Sequence, residues 1–518
     1  MNACDDLPVK PARVLRNPST DTLDTLIEKM PGARRTEFHN LNVETRVVAR
    51  SKGSTYVVTG RPEEHSDQTI TVEEGRRMAR LQDNYITGQE MLVIDGYIGN
   101  DPAFRTPARL IIESANANIA AMQKTLYFDI DVQKKDSFRP QVTVIYTPNL
   151  AAPGYPDERL IAVDLDRFTT RIFNSDYFGE SKKAGLRMWN KIVYDRGGLA
   201  LHAGCKVIPV GRRKKVTLIV GLSGTGKTTT TFTRQNNSQP VQDDFCAVMP
   251  GGKVYATENG CFAKTFGLDP RLEPTIYHAV TQSEAYLENV SQDANGKVDF
   301  FDRSYTQNGR AVFAMSKVKG AGNALDLGKV DFLLILNRNE TIIPAVARLG
   351  PEQAAAYFML GETKGTSAGG AEEAGKSLRI PGTNPFFPLL HSQQGNRFLD
   401  LLAGSALEVY LMNTGRIGGG EDEPGSRKVK IPHSSAVVKA IAEETIAWEK
   451  DPDFGYQVAT RVDGISVDDE VLLRPRLLYE SQARVDEYQS LVNQLKAERR
   501  EYLSGWPGLD PAIVSAVG

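Results

Sequence analysis

Val216-Thr-Leu-Ile-Val220, followed at once by Gly221-Leu-Ser-Gly-Thr-Gly-Lys-Thr228, decides the fold. The first five residues are apolar and β-rich, as a short buried strand requires. The next eight match the pattern Gly-x4-Gly-Lys-Ser/Thr at each fixed position. A strand that feeds a glycine turn lets backbone N–H groups point inward and cradle phosphate oxygens. The following helix adds its positive end, Lys227 neutralises charge on the outer phosphates, and Thr228 can hold Mg²⁺. The expected nucleotide contacts are therefore Gly221, Leu222, Ser223, Gly224, Thr225, Gly226, Lys227 and Thr228. Downstream, Asp243-Asp244 offers the carboxylates with which such a loop supports its metal. Adjacent acids are ordinarily solvated surface charge; their place after a strand–loop–helix unit gives these a role.

Outward from the loop, short β-rich runs alternate with helical patterns. Strands are expected at Thr55–Thr59, Met91–Asp95, Gln141–Tyr146, Leu160–Leu165, Val330–Leu336 and Glu408–Met412, besides the loop strand. Helices are expected at Val72–Asp83, Arg109–Thr125, Gly179–Val193 and Val485–Tyr502. The mixture makes an α/β protein, with strand spacing too irregular for a barrel or a simple doubly wound sheet. A boundary falls near residue 205, dividing an N-terminal lobe (1–205) from a phosphate-loop lobe (206–518). The proline-bearing first 40 or so residues read as loosely ordered. Gly361–Gly375, with five glycines in fifteen residues, reads as a disordered surface segment or a mobile lid extending to about 382.

Composition narrows the class. The chain has 518 residues, 41% apolar and 24% charged, and a formal net charge of −2. It is long enough for two or more cores and has no global attraction to nucleic acid or to an acidic membrane. Its cysteines (Cys4, Cys205, Cys246, Cys261) stand far apart, fitting neither a disulfide framework nor a structural zinc site. No run approaches the ~18–20 apolar residues of a membrane span, and the N-terminus lacks a signal-peptide layout. A cytoplasmic protein, monomeric or a small homo-oligomer, is expected.

Further segments occur in a family-like order: Thr59-Gly60-Arg61, Tyr177-Phe-Gly-Glu-Ser-Lys-Lys183, Leu201-His202, the phosphate loop, Asp243-Asp244, Gly260-Cys-Phe-Ala-Lys264, Glu273-Pro274, Asn384-Pro385-Phe386 and Asn413-Thr414-Gly415. Over roughly residues 45 to 450 the chain resembles the ATP-dependent phosphoenolpyruvate carboxykinases. The resemblance implies a two-lobed α/β fold with a phosphate-loop C-terminal lobe and a mixed α/β N-terminal lobe. The implied reaction is the reversible conversion of oxaloacetate and ATP to phosphoenolpyruvate, ADP and CO₂, a step of gluconeogenesis. Mg²⁺ would accompany the nucleotide and Mn²⁺ would occupy a second site. By position, Lys183, His202 and Asp244 match the Mn²⁺ ligands, while Thr228 and Asp243 sit on the nucleotide side. A lysine ligand must be the neutral amine, its pKa lowered by the metal and by Lys182. Taken alone, Lys182-Lys183 would be solvated charge and His202 a packed core residue; their mutual order makes them candidates. Arg61, Tyr177 and Arg310 match the substrate site, Arg310 also facing the transferring phosphoryl. Lys182, Lys183, Lys227 and Arg310 would serve catalysis. Lys264, Glu273, Arg427, Lys428 and Ser434 complete the nucleotide contacts, the last three replacing an arginine and a threonine.

The sequence also departs from the family. The family continues Thr-Gly-Arg with Ser-Pro-Lys-Asp-Lys, whereas here Pro62-Glu-Glu-His-Ser-Asp67 follows. Phe245-Cys246 replaces a polar Glu-His pair, and Ala203-Gly-Cys205 replaces Cys-Ser-Ala. Two alternatives to the carboxykinase stay open on the sequence: a divergent kinase with another acceptor, and a nucleotide-binding regulator without catalysis.

Overall fold

The computed structural model describes residues 7–131, 137–222, 224–325, 327–364 and 377–517. Two eight-stranded mixed sheets carry most of it. The first is built wholly from residues 13–173. Its strands run, in spatial order, Arg13–Arg16, Glu90–Ile98, Thr106–Glu113, Val142–Thr147, Thr169–Phe173, Leu160–Asp164, Thr55–Val58 and Thr69–Ile70. The second centres on the phosphate-loop strand Arg213–Val220, which pairs in parallel with Phe332–Asn337, itself parallel to Glu408–Asn413. On its other side it forms an antiparallel hairpin with Ala203–Val210.

A five-stranded sheet joins the two halves of the chain. Leu41–Val43 pairs in parallel with Tyr286–Glu288, alongside Arg310–Ala314 and Gly260–Lys264. Helix Phe178–Asp195 is buried along most of its length, with Trp189, Phe178 and Met188 in the core. Its cationic end therefore stands at a fixed place.

Two expectations are corrected. Residues 7–43 are structured: they hold a strand at Arg13–Arg16, a helix at Thr20–Ile27 capped by Ser19, and the paired strands Ala33–Arg35 and Leu41–Val43, while residues 1–6 lie outside the described residues. The expected helix Arg109–Thr125 is instead a strand, Thr106–Glu113, a 3-10 turn, and then a helix, Ala117–Leu126. Arg109 lies opposite Asp95 on the neighbouring strand and donates to it at 2.5 Å and 3.0 Å, fully buried. A buried arginine needs such a two-point partner, and only sheet pairing brings Asp95 there. The other expected strands and helices appear with ends shifted by a few residues. Among the described residues no helix is long and apolar enough to cross a membrane. Most of the Gly361–Gly375 segment lies outside the described residues.

Candidate active site

The phosphate loop leaves its strand at Val220 and enters a short helix, Lys227–Phe232. Gly224 and Gly226 both have φ of 88°, a left-handed backbone that glycine adopts without penalty. Buried Thr225 donates from Oγ1 to the Leu222 carbonyl at 2.8 Å, closing the turn. Ser223 lies outside the described residues. Lys206, on the adjacent strand, donates to the carbonyls of Thr230 (2.6 Å) and Thr233 (3.1 Å) and to Gln235 Oε1 (2.6 Å), bracing the far end of this helix.

Beside the loop, Lys227 Nζ donates to Asp243 Oδ1 at 3.0 Å and to Asp244 Oδ1 at 3.3 Å. Thr228 Oγ1 donates to Asp243 Oδ2 at 2.9 Å. Asp244 also meets Lys182 Nζ at 2.8 Å, His202 Nε2 at 2.7 Å and the Lys183 ammonium. Its backbone φ is 118°, a conformation that a residue with a side chain rarely adopts and that marks functional sites. Burial raises its carboxyl pKa, but Lys182, Lys183, Lys227 and His202 outweigh this and hold it well below the usual range.

The ligands expected for a second metal fit such an ion chemically. Burial pulls the Lys183 ammonium down to about 7, Lys182 adding to the effect and Asp244 opposing it. Burial, followed by the charge of Lys227, brings His202 down to about 4, so the ring is neutral near pH 7. His202 Nδ1 lies 3.2 Å from the Thr383 carbonyl while Nε2 faces Asp244. A neutral imidazole carries one N–H and cannot serve two acceptors. A cation held by Nε2 and Asp244 would resolve the conflict, with the Thr383 carbonyl fixing the tautomer. Among the described residues no three His, Cys, Asp and Glu side chains form a metal cluster; the set here is Lys–His–Asp.

These groups line a cleft of about 440 Å³ together with Tyr177, Phe262, Lys264, Glu273, Arg310, Arg338 and Phe386. Lys264 and Arg310 are cross-strand partners. Arg310 stacks over Phe262 at 5.1 Å, and its buried Nε has no partner among the described residues. Burial brings Lys264 down to about 8, Arg310 adding to it. Thr229 Oγ1 donates to Glu273 at 2.5 Å, tying that acid to the phosphate-loop helix. Phe245, where the family has a polar residue, faces His202 at 5.2 Å and lies under the Lys183 ammonium at 5.0 Å.

Several sequence candidates are placed elsewhere. Lys182 is fully buried behind Asp244, bonded also to Glu258 at 2.9 Å, and does not line the cleft. Arg427 and Lys428 are exposed, and neither they nor Ser434 lines the cleft. Arg61 is 65% exposed, pairs with Glu64 at 2.8 Å, and is also absent from the cleft wall. The 3-10 turn Pro62–Glu64 aims it at its own neighbour. The cleft holds Arg50 instead, over Phe386 at 5.3 Å and with no ion pair among the described residues. Ser51 N–H, next in the chain, donates to Glu180 at 2.5 Å, fastening Arg50 to the helix of Lys182 and Lys183. Arg50-Ser51-Lys52 before the strand Thr55–Val58 was the legible signal. It begins with the Arg-Ser order that Arg61 lacks.

Fold and site together define an α/β enzyme in which a glycine-rich strand-to-helix loop borders a cationic, carboxylate-braced cleft. A family model for phosphoenolpyruvate carboxykinase, of the ATP-dependent kind, matches residues 12–468. The chain is 33% identical over 372 residues to the phosphoenolpyruvate carboxykinase (ATP) of Aeropyrum pernix, covering 69% of this chain and 71% of that protein. It is 29% identical over 411 residues to the one from Bradyrhizobium diazoefficiens (77% and 74% covered). To phosphoenolpyruvate carboxykinase (ATP) 1 of Moorella thermoacetica it is 28% identical over 444 residues (83% and 81% covered). The chain belongs to the ATP-dependent phosphoenolpyruvate carboxykinase family, enzymes that turn oxaloacetate and ATP into phosphoenolpyruvate, ADP and CO₂ and that use a divalent metal.

Proposed function

We propose that this chain carries out the family reaction in its 440 Å³ cleft, residues 1–205 together with Arg310 serving the oxaloacetate side and the rest of 206–518 the nucleotide. The observation that carries it is convergence: Lys227, Asp243, Asp244, His202 and Lys183 line the same cleft as Arg50, Tyr177 and Arg310. A dicarboxylate with little apolar surface must be gripped by fixed cations, and Arg50 and Arg310 are the cleft arginines suited to that grip. When the C–C bond to the departing carboxylate breaks, its electron pair stays on the substrate as an enolate. The enolate oxygen then bonds to the γ-phosphorus as the bond from that phosphorus to the ADP oxygen breaks. Lys227 Nζ meets the charge that spreads over the transferring phosphoryl, and Arg310, which lines the same cleft, adds to it. Lys182 acts from below by holding Asp244. A Mn²⁺ held by Lys183, His202 and Asp244, and a Mg²⁺ near Thr228 and Asp243, would polarise the keto oxygen and neutralise the phosphates.

The acidic Glu63-Glu64, which sets this chain apart from the family after Arg61, does not bear on the cleft. Glu63 is exposed and Glu64 half-buried in the Pro62–Glu64 turn, and neither lines the cleft. On this reading the enzyme works in the cytoplasm as a monomer or small homo-oligomer. The test is purified protein with ADP, bicarbonate, phosphoenolpyruvate and Mn²⁺, oxaloacetate being read by coupled reduction. Oxaloacetate formation is expected; its absence, together with no phosphoenolpyruvate from oxaloacetate and ATP in the opposite direction, would overturn the proposal.

A further inference from the structure

The helix Val485–Ser504 lies beyond residue 468, where the family match ends. It places one fully buried arginine against the back of the cleft wall. Arg499 donates from Nε to Glu362 Oε1 at 3.0 Å and from Nη2 to Oε2 at 2.7 Å, with Nη1 to the Tyr357 hydroxyl at 3.0 Å. Its side chain is 0% exposed, and the guanidinium lies over the Tyr357 and Phe454 rings at 4.9 Å and 5.5 Å. A bidentate, desolvated pair of this kind fixes orientation as well as charge.

Glu362 opens a hairpin, Glu362–Lys364 with Ser377–Arg379, in which Glu362 faces Arg379 and Thr363 faces Leu378. Alternation puts the two pairs on opposite faces. The Glu362–Arg379 pair meets the helix Val485–Ser504, Arg379 reaching Glu498 at 3.2 Å as well. Thr363 and Leu378, with Ile380, line the cleft. Glu362 also accepts from Asn337 at 3.1 Å. Asn337 ends the strand beside the phosphate-loop strand, and the next residue, Arg338, donates to the Gly224 carbonyl at 2.9 Å. The hairpin leaves through Ile380–Thr383, whose last carbonyl faces His202 Nδ1. Entry is equally constrained. Gly361 has φ of 48°, and a β-carbon there would meet the Ile380 carbonyl at 1.9 Å. The wall is thus held from behind by one carboxylate on which Arg499, Arg379 and Asn337 converge.

We propose that Arg499 is a positioning residue for ATP: through Glu362 it fixes the hairpin that walls the nucleotide cleft. Arg499 touches no substrate. Its loss lets Thr363, Leu378 and Ile380 shift relative to the phosphate loop, which weakens ATP binding before it touches oxaloacetate, held by Arg50 and Arg310 on other elements. In Arg499→Met, kcat/KM for ATP falls by about 10²-fold, as ångström-scale misplacement costs, while KM for oxaloacetate at saturating ATP stays near wild type. Arg499→Lys, which keeps the charge but not the planar grip, recovers part of the loss. The double variant Arg499→Met/Glu362→Gln loses less than the two single losses combined, because both single changes remove the same bidentate pair. ATP titration with no acceptor present reads the same shift as a raised Kd, which separates this inference from the identity of the acceptor. A folded Arg499→Met with unchanged ATP binding, or equal losses for ATP and oxaloacetate, would overturn it. If Arg499→Met does not fold, Glu362→Gln decides: raised Kd for ATP supports the proposal and an unchanged Kd refutes it.

Discussion

His202 Nε2 stands 2.7 Å from Asp244 Oδ1, and Asp244 reaches it from a backbone φ of 118°. The strained aspartate is held by four cationic or imidazole neighbours, so the strain is offset by electrostatics. Removing either partner should act first on the metal. With His202→Ala or Asp244→Gln, Mn²⁺ should no longer raise the rate above that with Mg²⁺–ATP alone, nor raise Tm. Wild-type protein should show both effects. A His202→Ala enzyme that responds to Mn²⁺ like wild type would disprove the Lys183–His202–Asp244 site.

Lys227 is the second point of test. Its ammonium sits between Asp243 and Asp244, at 3.0 and 3.3 Å. Lys227→Ala should lower kcat by about 10²–10³-fold, the scale for losing one preorganised charge-stabilising donor. It should also lower Tm, since two buried carboxylates lose their shared counter-charge. Thr228→Ala should weaken the response to Mg²⁺ with a smaller loss of stability. Near-normal turnover in Lys227→Ala would remove the phosphate loop from the mechanism.

The two arginines separate cleanly. Arg50→Gln should raise KM for oxaloacetate and lower kcat, because a poorly held enolate attacks badly. Arg61→Gln should change neither by more than about twofold, since an exposed i,i+3 pair is worth under about 1 kcal/mol. Steady-state kinetics of both variants decide it, and the reverse pattern would restore Arg61 to the substrate site.

A pH effect on stability should come from Glu288. Its Oε1 accepts from the N–H of Phe178, the first residue of the helix that bears Lys182 and Lys183, and its buried Oε2 has no partner among the described residues. Burial pushes its carboxyl up to about 8, against the Phe178 N–H and Arg310. The folded state therefore keeps a proton that the unfolded state releases near its ordinary pKa. Between about pH 4.5 and 8 this group makes stability fall as pH rises, by at most about 1.4 kcal/mol per unit, and its contribution is greatest below that window. In Glu288→Gln the decline should flatten when denaturant midpoints are compared across those pH values. An unchanged slope would show that Glu288 is ionised in the fold.

Local chemistry made much of this protein legible from its sequence. The glycine spacing and strand of Val216–Thr228 dictate a phosphate loop because hydrogen bonding and glycine's backbone freedom act over a few residues. The order of Lys182-Lys183, His202 and Asp243-Asp244 likewise identified the groups that meet beside it. What is decided by pairing across long stretches was not legible. Arg109 looked helical until Asp95 on a neighbouring strand claimed it. Arg61 looked like the substrate cation, but a local turn spends its charge on Glu64, and contact with Glu180 carries Arg50 into the cleft. Arg499 finds Glu362 across 137 residues. Periodicity and motif spacing report on the nearest neighbours in the chain. Which buried charge meets which is set by tertiary packing, where a desolvated ion keeps its place only beside its partner.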